Sequence, residues 1–117
     1  MSIKIFYQNV RGLRSKLHTF KQNVTNNNYD VICITESWLN NSIYDFNIID
    51  PENYSIFRRD REDTRSLKKD GGGAFIAVKN DLNVTLLRDY QSDAEDVWIS
   101  VDLNNKGKLI VCCVKVK

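Results

Sequence analysis

The sequence predicts an α+β fold, a β-sandwich with flanking helices, and three features carry that expectation. The first is Val31-Ile32-Cys33-Ile34, an unbroken apolar run that reads as a strand buried on both faces. The second is the strand-like segment and amphipathic helix ahead of that run. Together they make a strand–helix–strand unit, whose crossover is right-handed and whose strands are parallel. The third is the strand-like character of the segments from Tyr54 onward, so the helix–strand alternation of a doubly wound sheet is not sustained. That order suits sheet packed on sheet.

Each element has a local reason. Ile3 to Tyr7 alternates Ile3, Ile5 and Tyr7 against Lys4 and Phe6, the period of a first strand. Gln8 to Gly12 is a polar turn, and Ser15 is the predicted cap of the next helix. Leu17, Phe20 and Val24 recur at i, i+3 and i+7, one helical face. Asn26-Asn27-Asn28 ends that helix before the buried strand begins. Leu39 to Asn53 is polar and irregular, holds the only proline, Pro51, and has room for a short helical turn. Tyr54 to Arg58 reads as a strand with Tyr54, Ile56 and Arg58 on one side. Ala74 to Lys79, Asn83 to Arg88, Val97 to Leu103 and Leu109 to Val116 read as four more. Asn80-Asp81 supplies one turn between them, and Asn104-Asn105-Lys106-Gly107 a hairpin turn between the last two.

Length and composition bound the answer. The 117 residues suffice for one domain, and 42% hydrophobic with 27% charged is a globular balance rather than a disordered one. A net charge of +2 is only weak evidence for an acidic partner, since nucleic-acid domains carry a stronger basic bias. Cys33, Cys112 and Cys113 lie in apolar runs, where a cysteine acts as a small hydrophobe. Their odd number and lack of Cys-x-x-Cys spacing argue against a disulfide framework and a zinc site. A nuclear or cytoplasmic protein is expected, with no secretory leader and no membrane span.

Glu36 comes directly after the buried strand, where open α/β sheets tend to hold their chemistry. A metal ligand, a catalytic acid and a solvated glutamate at a strand end all fit that position. Parallel pairing brings the ends of the first two strands to the same end of the sheet. Asn9, placed just after the first strand, should therefore approach Glu36. Two oxygen donors there suit a hard cation such as magnesium, which keeps several waters. The plainer account of Asn9 is a turn residue bonded to local backbone.

Two further stretches are candidates for phosphate contact. Arg58 to Asp70 holds Arg58, Arg59, Arg61, Arg65, Lys68 and Lys69 against four acids, a surplus equal to the whole net charge. The interleaved acids favour a solvated hairpin loop. Gly71-Gly72-Gly73 has the composition of a phosphate cradle, but it leads into a strand rather than a helix. A tight turn with close backbone packing is the favoured reading.

With these pieces placed, the sequence resembles the endonuclease/exonuclease/phosphatase superfamily. It looks most like the apurinic-type endonuclease domain of non-LTR (LINE- and jockey-like) retrotransposons. The resemblance rests on Ile5-Phe6-Tyr7-Gln8-Asn9-Val10-Arg11-Gly12-Leu13 and Ile34-Thr35-Glu36-Ser37-Trp38-Leu39. Tyr54 to Arg61, Gly71 to Val78 and Glu95-Asp96-Val97-Trp98-Ile99 support it in order and spacing.

It implies a four-layer αββα sandwich in the complete family member, of which residues 1–117 would form the N-terminal half. It implies cleavage of a DNA phosphodiester with magnesium or manganese (Mg2+ or Mn2+). Asn9 matches the family's first-strand asparagine, which organises the metal and phosphate site, and Glu36 its cation-binding glutamate. Arg11 stands where the family often has a second Asn or Asp. The family's Asp-x-Asn motif and closing Asp-His pair lie beyond the strand matched by Leu109 to Val116. His18, beside the helix stripe, reads as a surface residue rather than a substitute for that histidine.

The resemblance therefore implies a fragment of a DNA endonuclease with little activity alone. Its partners would be target DNA and a complementary C-terminal half, or further copies of itself, since the half-domain leaves apolar surface open. The alternative is a non-catalytic nucleic-acid-binding or interaction module that keeps the fold and uses Arg58 to Lys69 as its contact surface.

Overall fold

The structure is a computed structural model that describes residues 2–61 and 72–114. Among these, the strands are β1 (Ile5–Asn9), β2 (Val31–Thr35), β3 (Tyr54–Arg59), β4 (Ala74–Lys79), β5 (Asn83–Leu86), β6 (Val97–Asp102) and β7 (Lys108–Cys113). The helices are α1 (Leu17–Asn27) and the single turn α2 (Asp45–Ile48). The first four strands form one sheet in the order β1-β2-β4-β3, and the last three a second in the order β5-β6-β7. Among the described strands, only the β1–β2 pair is parallel. The expected α+β sandwich with flanking helices is borne out.

Burial explains why β2 and β4 read as continuous apolar runs. Ile32 and Ile34 of β2, with Phe75 and Ala77 of β4, face the helical layer of Phe20, Val24 and Ile48. Val31 and Cys33, with Ile76 and Val78, face Val97, Ile99, Val101 and Cys113 of the second sheet. Both faces are covered, so no polar alternation survives in either strand. Phe20 meets Phe75 edge-on, with ring centroids 6.1 Å apart, and this contact seats α1 on the sheet. Asn28 adopts a left-handed conformation and returns its N–H to the Val24 carbonyl, closing the helix where the asparagine cluster predicted.

Several boundaries differ from expectation, and three of the differences bear on the site or its supports. β1 starts at Ile5 and runs through Asn9, because its ladder with β2 continues until Asn9 stands opposite Thr35. Asn9 is thus the last residue of the strand rather than part of the turn. Ser15 caps nothing; it lies in a 3-10 turn over Arg14–Lys16, and Lys16 precedes α1 with no side-chain cap bond. β5 stops at Leu86, before a 3-10 turn at Arg88–Tyr90. Residues 62–71, which include Arg65, Lys68, Lys69 and Gly71, lie outside the described residues, as do residues 115–117.

Among the described residues, apolar surface stays open on both sheets. Ile5 and Tyr7 are 47% and 57% exposed on the side of β1 that the second sheet does not reach. On the outer side of the second sheet, Ile110 is 52% exposed, and Trp98 stands opposite Cys112 with the Tyr90 ring 5.6 Å away. Surfaces of this kind favour association. Light scattering on the isolated chain is expected to show mass rising with concentration, a rise reduced by Ile110→Lys. A monodisperse monomer at high concentration would count against it. No helix among the described residues is long and apolar enough to cross a membrane.

Candidate functional site

The site lies where β1 and β2 end together. The ladder does not stop with the strands. Val10 N–H bonds Thr35 O at 3.1 Å, Gly12 N–H bonds Glu36 O at 2.9 Å, and Leu13 N–H bonds Ser37 O at 2.9 Å. On the other side, Ser37 N–H bonds Gly73 O at 3.2 Å and Trp38 N–H bonds Gly72 O at 3.0 Å. Residues 36–38 are therefore held between the segment after β1 and the segment before β4. Glu36 (φ 55°) and Trp38 (φ 56°) both take left-handed backbone conformations there. Non-glycine residues persist in that region only where their surroundings fix them, and such positions cluster at functional sites.

Glu36 is 7% exposed. Its Oε2 accepts from the Trp38 indole Nε1–H at 2.7 Å and from the Gly72 N–H at 3.0 Å. A buried carboxylate needs such donors to offset lost hydration. The Trp38 ring in turn lies against Gly12 (φ 97°), where a Cβ would come within 2.6 Å of the ring. A side chain at Gly12 would displace the indole that holds Glu36. Asn9 is exposed, opposite Thr35 and one position from Glu36 in the parallel register. The Tyr7 hydroxyl and Thr35 Oγ1 bond at 3.0 Å on the same face. So the predicted pair, Asn9 and Glu36, shares one end of the sheet, as parallel pairing required. Arg11 is exposed with φ 49°.

The glycines answer the question their composition raised. The N–H of Gly73 bonds Glu95 Oε2 at 2.8 Å, as that of Gly72 bonds Glu36. Both amides are directed at carboxylates, and both residues are buried with positive φ. Close packing is the better description of them. The hydroxyl of Ser37, fully buried against Gly73, has no hydrogen-bond partner among the described residues.

The charged stretch is largely tied inward where it is described. Arg58 bonds both oxygens of Asp60 at 3.1 and 2.7 Å, Asp45 at 3.0 Å, and the carbonyls of Ile43 and Asn40. It thereby fastens the 40–45 segment to β3. Burial alone would lower its pKa, but the bonds to Asp60 and Asp45 outweigh this and raise it. Arg59 bonds Ser92 O at 2.7 Å, Asp96 O at 3.0 Å and Asp96 Oδ1 at 2.9 Å, linking the two sheets. Arg61 pairs with Glu95 at 3.2 Å. His18 is exposed on α1. Among the described residues, no group of three or more His, Cys, Asp or Glu could hold a metal ion. A groove of about 900 Å³, lined by Lys21, Val24, Phe46, Tyr54 and Lys79, opens at the other end of the strands.

Sequence reasoning missed the partners of Glu36. The signal was present twice. Glu36-Ser37-Trp38 and Asp96-Val97-Trp98 share an acid–x–Trp spacing, and in each the indole N–H bonds the carboxylate two residues earlier, at 2.7 and 2.9 Å.

This α+β arrangement of two sheets matches the fold of the AP endonucleases. The chain superposes on the AP endonuclease LMAP from Leishmania major with a TM-score of 0.72 at 18% identity, covering 98% of this chain and 40% of that one. It superposes on the endonuclease domain of TRAS1, a telomere-specific non-LTR retrotransposon, with a TM-score of 0.65 at 13% identity, covering 98% and 46%. The chain thus spans less than half the length of either. No family model and no curated protein sequence matches it. The motif resemblance is borne out at the level of fold.

Proposed function

We propose that residues 1–117 are the N-terminal half of a metal-dependent DNA endonuclease of retrotransposon type, and that they cleave little or nothing alone. The observation that supports this most is the placement of Glu36, a buried carboxylate held by two N–H donors one register position from Asn9. The donor set fits Mg2+ or Mn2+, since a carboxylate and an amide oxygen are hard ligands and such ions keep most of their waters. When bound, the ion would supply Lewis-acid polarisation of a phosphoryl oxygen. Glu36 and Asn9 would hold and orient it.

The rest of the chemistry needs a group that positions the attacking water and one that stabilises the leaving oxygen. Asp-x-Asn triplets occur in the chain at Asp45, Asp81 and Asp102. Those at Asp81 and Asp102 begin turns at the far end of the strands, and Asp45 of the third is bonded to Arg58. Losing members of a catalytic unit costs orders of magnitude in rate. A plasmid-nicking assay with Mg2+ is therefore expected to show no more than trace conversion. Robust nicking that Glu36→Ala abolishes would show that these residues suffice. DNA is the proposed partner, contacted through the stretch that holds Arg58, Arg59, Arg61, Arg65, Lys68 and Lys69, of which Arg58, Arg59 and Arg61 also bond Asp60, Asp96 and Glu95 within the chain.

A further inference from the structure

We infer that Arg61 anchors a DNA phosphate at the Glu36 end of the sheets, and that Glu95 is the positioning residue that aims it. This deepens the reading of the chain as half of a DNA endonuclease and rests on it. Gly72 and Gly73 have consecutive positive φ values, 72° and 86°. Their amides reach two different carboxylates. Gly72 N–H bonds Glu36 Oε2 at 3.0 Å, and Gly73 N–H bonds Glu95 Oε2 at 2.8 Å. The other oxygen of Glu95, Oε1, accepts from Arg61 Nε at 3.2 Å.

The guanidinium is placed from two directions. Glu95 holds it at Nε, and Gly72 lies directly against it, where a Cβ would overlap Nε and Cζ. Only glycine permits that approach. Glu95 itself has φ 58°, a left-handed conformation that a non-glycine residue keeps only where its surroundings fix it. A guanidinium therefore rests on the residue whose amide holds Glu36.

The described arginines of this stretch differ in what they have left to offer. Arg58 uses Nε and both Nη nitrogens within the chain, and its side chain is 16% exposed. Arg59 is turned to the second sheet through Nη1. Among the described residues Arg61 is bonded through Nε alone, and its side chain is 38% exposed. The N–H groups of both Nη nitrogens remain, the fork that takes a phosphate bidentately. Fixing Nε beforehand reduces the entropy lost when that fork engages. The charge of Glu95 offsets part of the attraction, so the pair orients a backbone phosphate beside Glu36 more than it adds affinity.

The test uses the 117-residue chain and two short DNA duplexes of unrelated sequence. No divalent ion is present, so a failure of the cation site leaves the result untouched. Fluorescence anisotropy gives the Kd across a range of NaCl concentrations. Arg61→Ala is expected to weaken both duplexes alike and to reduce the slope of log K against log salt by about 0.9, the value for one phosphate contact. Arg88→Ala, at an exposed arginine in the 3-10 turn after β5, should leave the slope as it is. With Glu95→Ala already in place, the loss on Arg61→Ala should shrink by at least about twofold. Strictly additive losses would overturn the positioning role of Glu95. A slope equal in Arg61→Ala and wild type overturns the anchor, as does inorganic phosphate that shifts the Arg61 Nε–H resonance at the same concentration as DNA. Should Arg61→Ala fail to fold, that resonance decides in the wild type, and one that DNA leaves unmoved overturns the inference. A wild type without affinity for DNA overturns this inference and the DNA reading together. Equal Mg2+ binding by the wild type and Glu36→Gln overturns the cation reading alone.

Discussion

Asp96→Ala is expected to destabilise the domain by about 1–3 kcal/mol, the scale for leaving buried hydrogen-bond donors without an acceptor. Asp96 is 5% exposed and collects four bonds from side chains and backbone. Oδ1 accepts from Arg59 at 2.9 Å and the Ser92 N–H at 2.8 Å; Oδ2 accepts from Ser92 Oγ at 3.0 Å and the Trp98 indole at 2.9 Å. Alanine strands those donors and loosens the tie by which Arg59, the last residue of β3, reaches the start of the second sheet. Urea denaturation measures the loss, and a change below about 1 kcal/mol would mean the donors find water instead.

The same group sets a pH dependence. Burial pushes the Asp96 carboxyl up, but the bonds from Trp98 and Ser92 outweigh it and hold the pKa below its ordinary value. A depressed folded pKa means the stabilisation is present above the unfolded value of about 3.9 and is lost as the pH falls through the folded one. Asp96→Ala should therefore flatten the acid limb of the stability curve while lowering the plateau.

The second large effect concerns Glu36. Glu36→Gln keeps the size of the side chain and leaves a carbonyl oxygen to accept from Trp38 and Gly72, so the fold should survive. What it removes is the charge. A divalent ion held by Glu36 loses the charge that compensates its dehydration, and affinity should fall by at least about a hundredfold, the upper end of what even an outer-shell change costs. Asn9→Ala removes a neutral, exposed donor and should cost less.

How much of this was legible in the sequence depends on where each residue's environment comes from. β2 and β4 could be read because burial on both faces writes an apolar run directly into the chain. The parallel placement of Asn9 and Glu36 came from the strand–helix–strand unit, a rule about handedness rather than about either residue. The ends of β1 were misjudged because they are set by its partner: Asn9 belongs to the strand only because Thr35 stands opposite it. Ser15 had the chemistry of a cap, yet the chain first makes a 3-10 turn and only then enters α1. The bonds of Gly72 and Gly73 join positions 36 and 22 residues apart, and no local pattern foretells which acceptor a backbone amide will find. The Glu36–Trp38 bond is different, since a two-residue spacing repeated at Asp96–Trp98 was there to be noticed.

The central claim is that the joint end of β1 and β2 holds a divalent cation through Glu36. Calorimetric titration of the wild-type chain with Mn2+, beside folded Glu36→Gln, tests it most directly. The account predicts one ion per chain in the wild type and none measurable in the variant over the same range. Equal binding by both proteins, or none by the wild type, would contradict it.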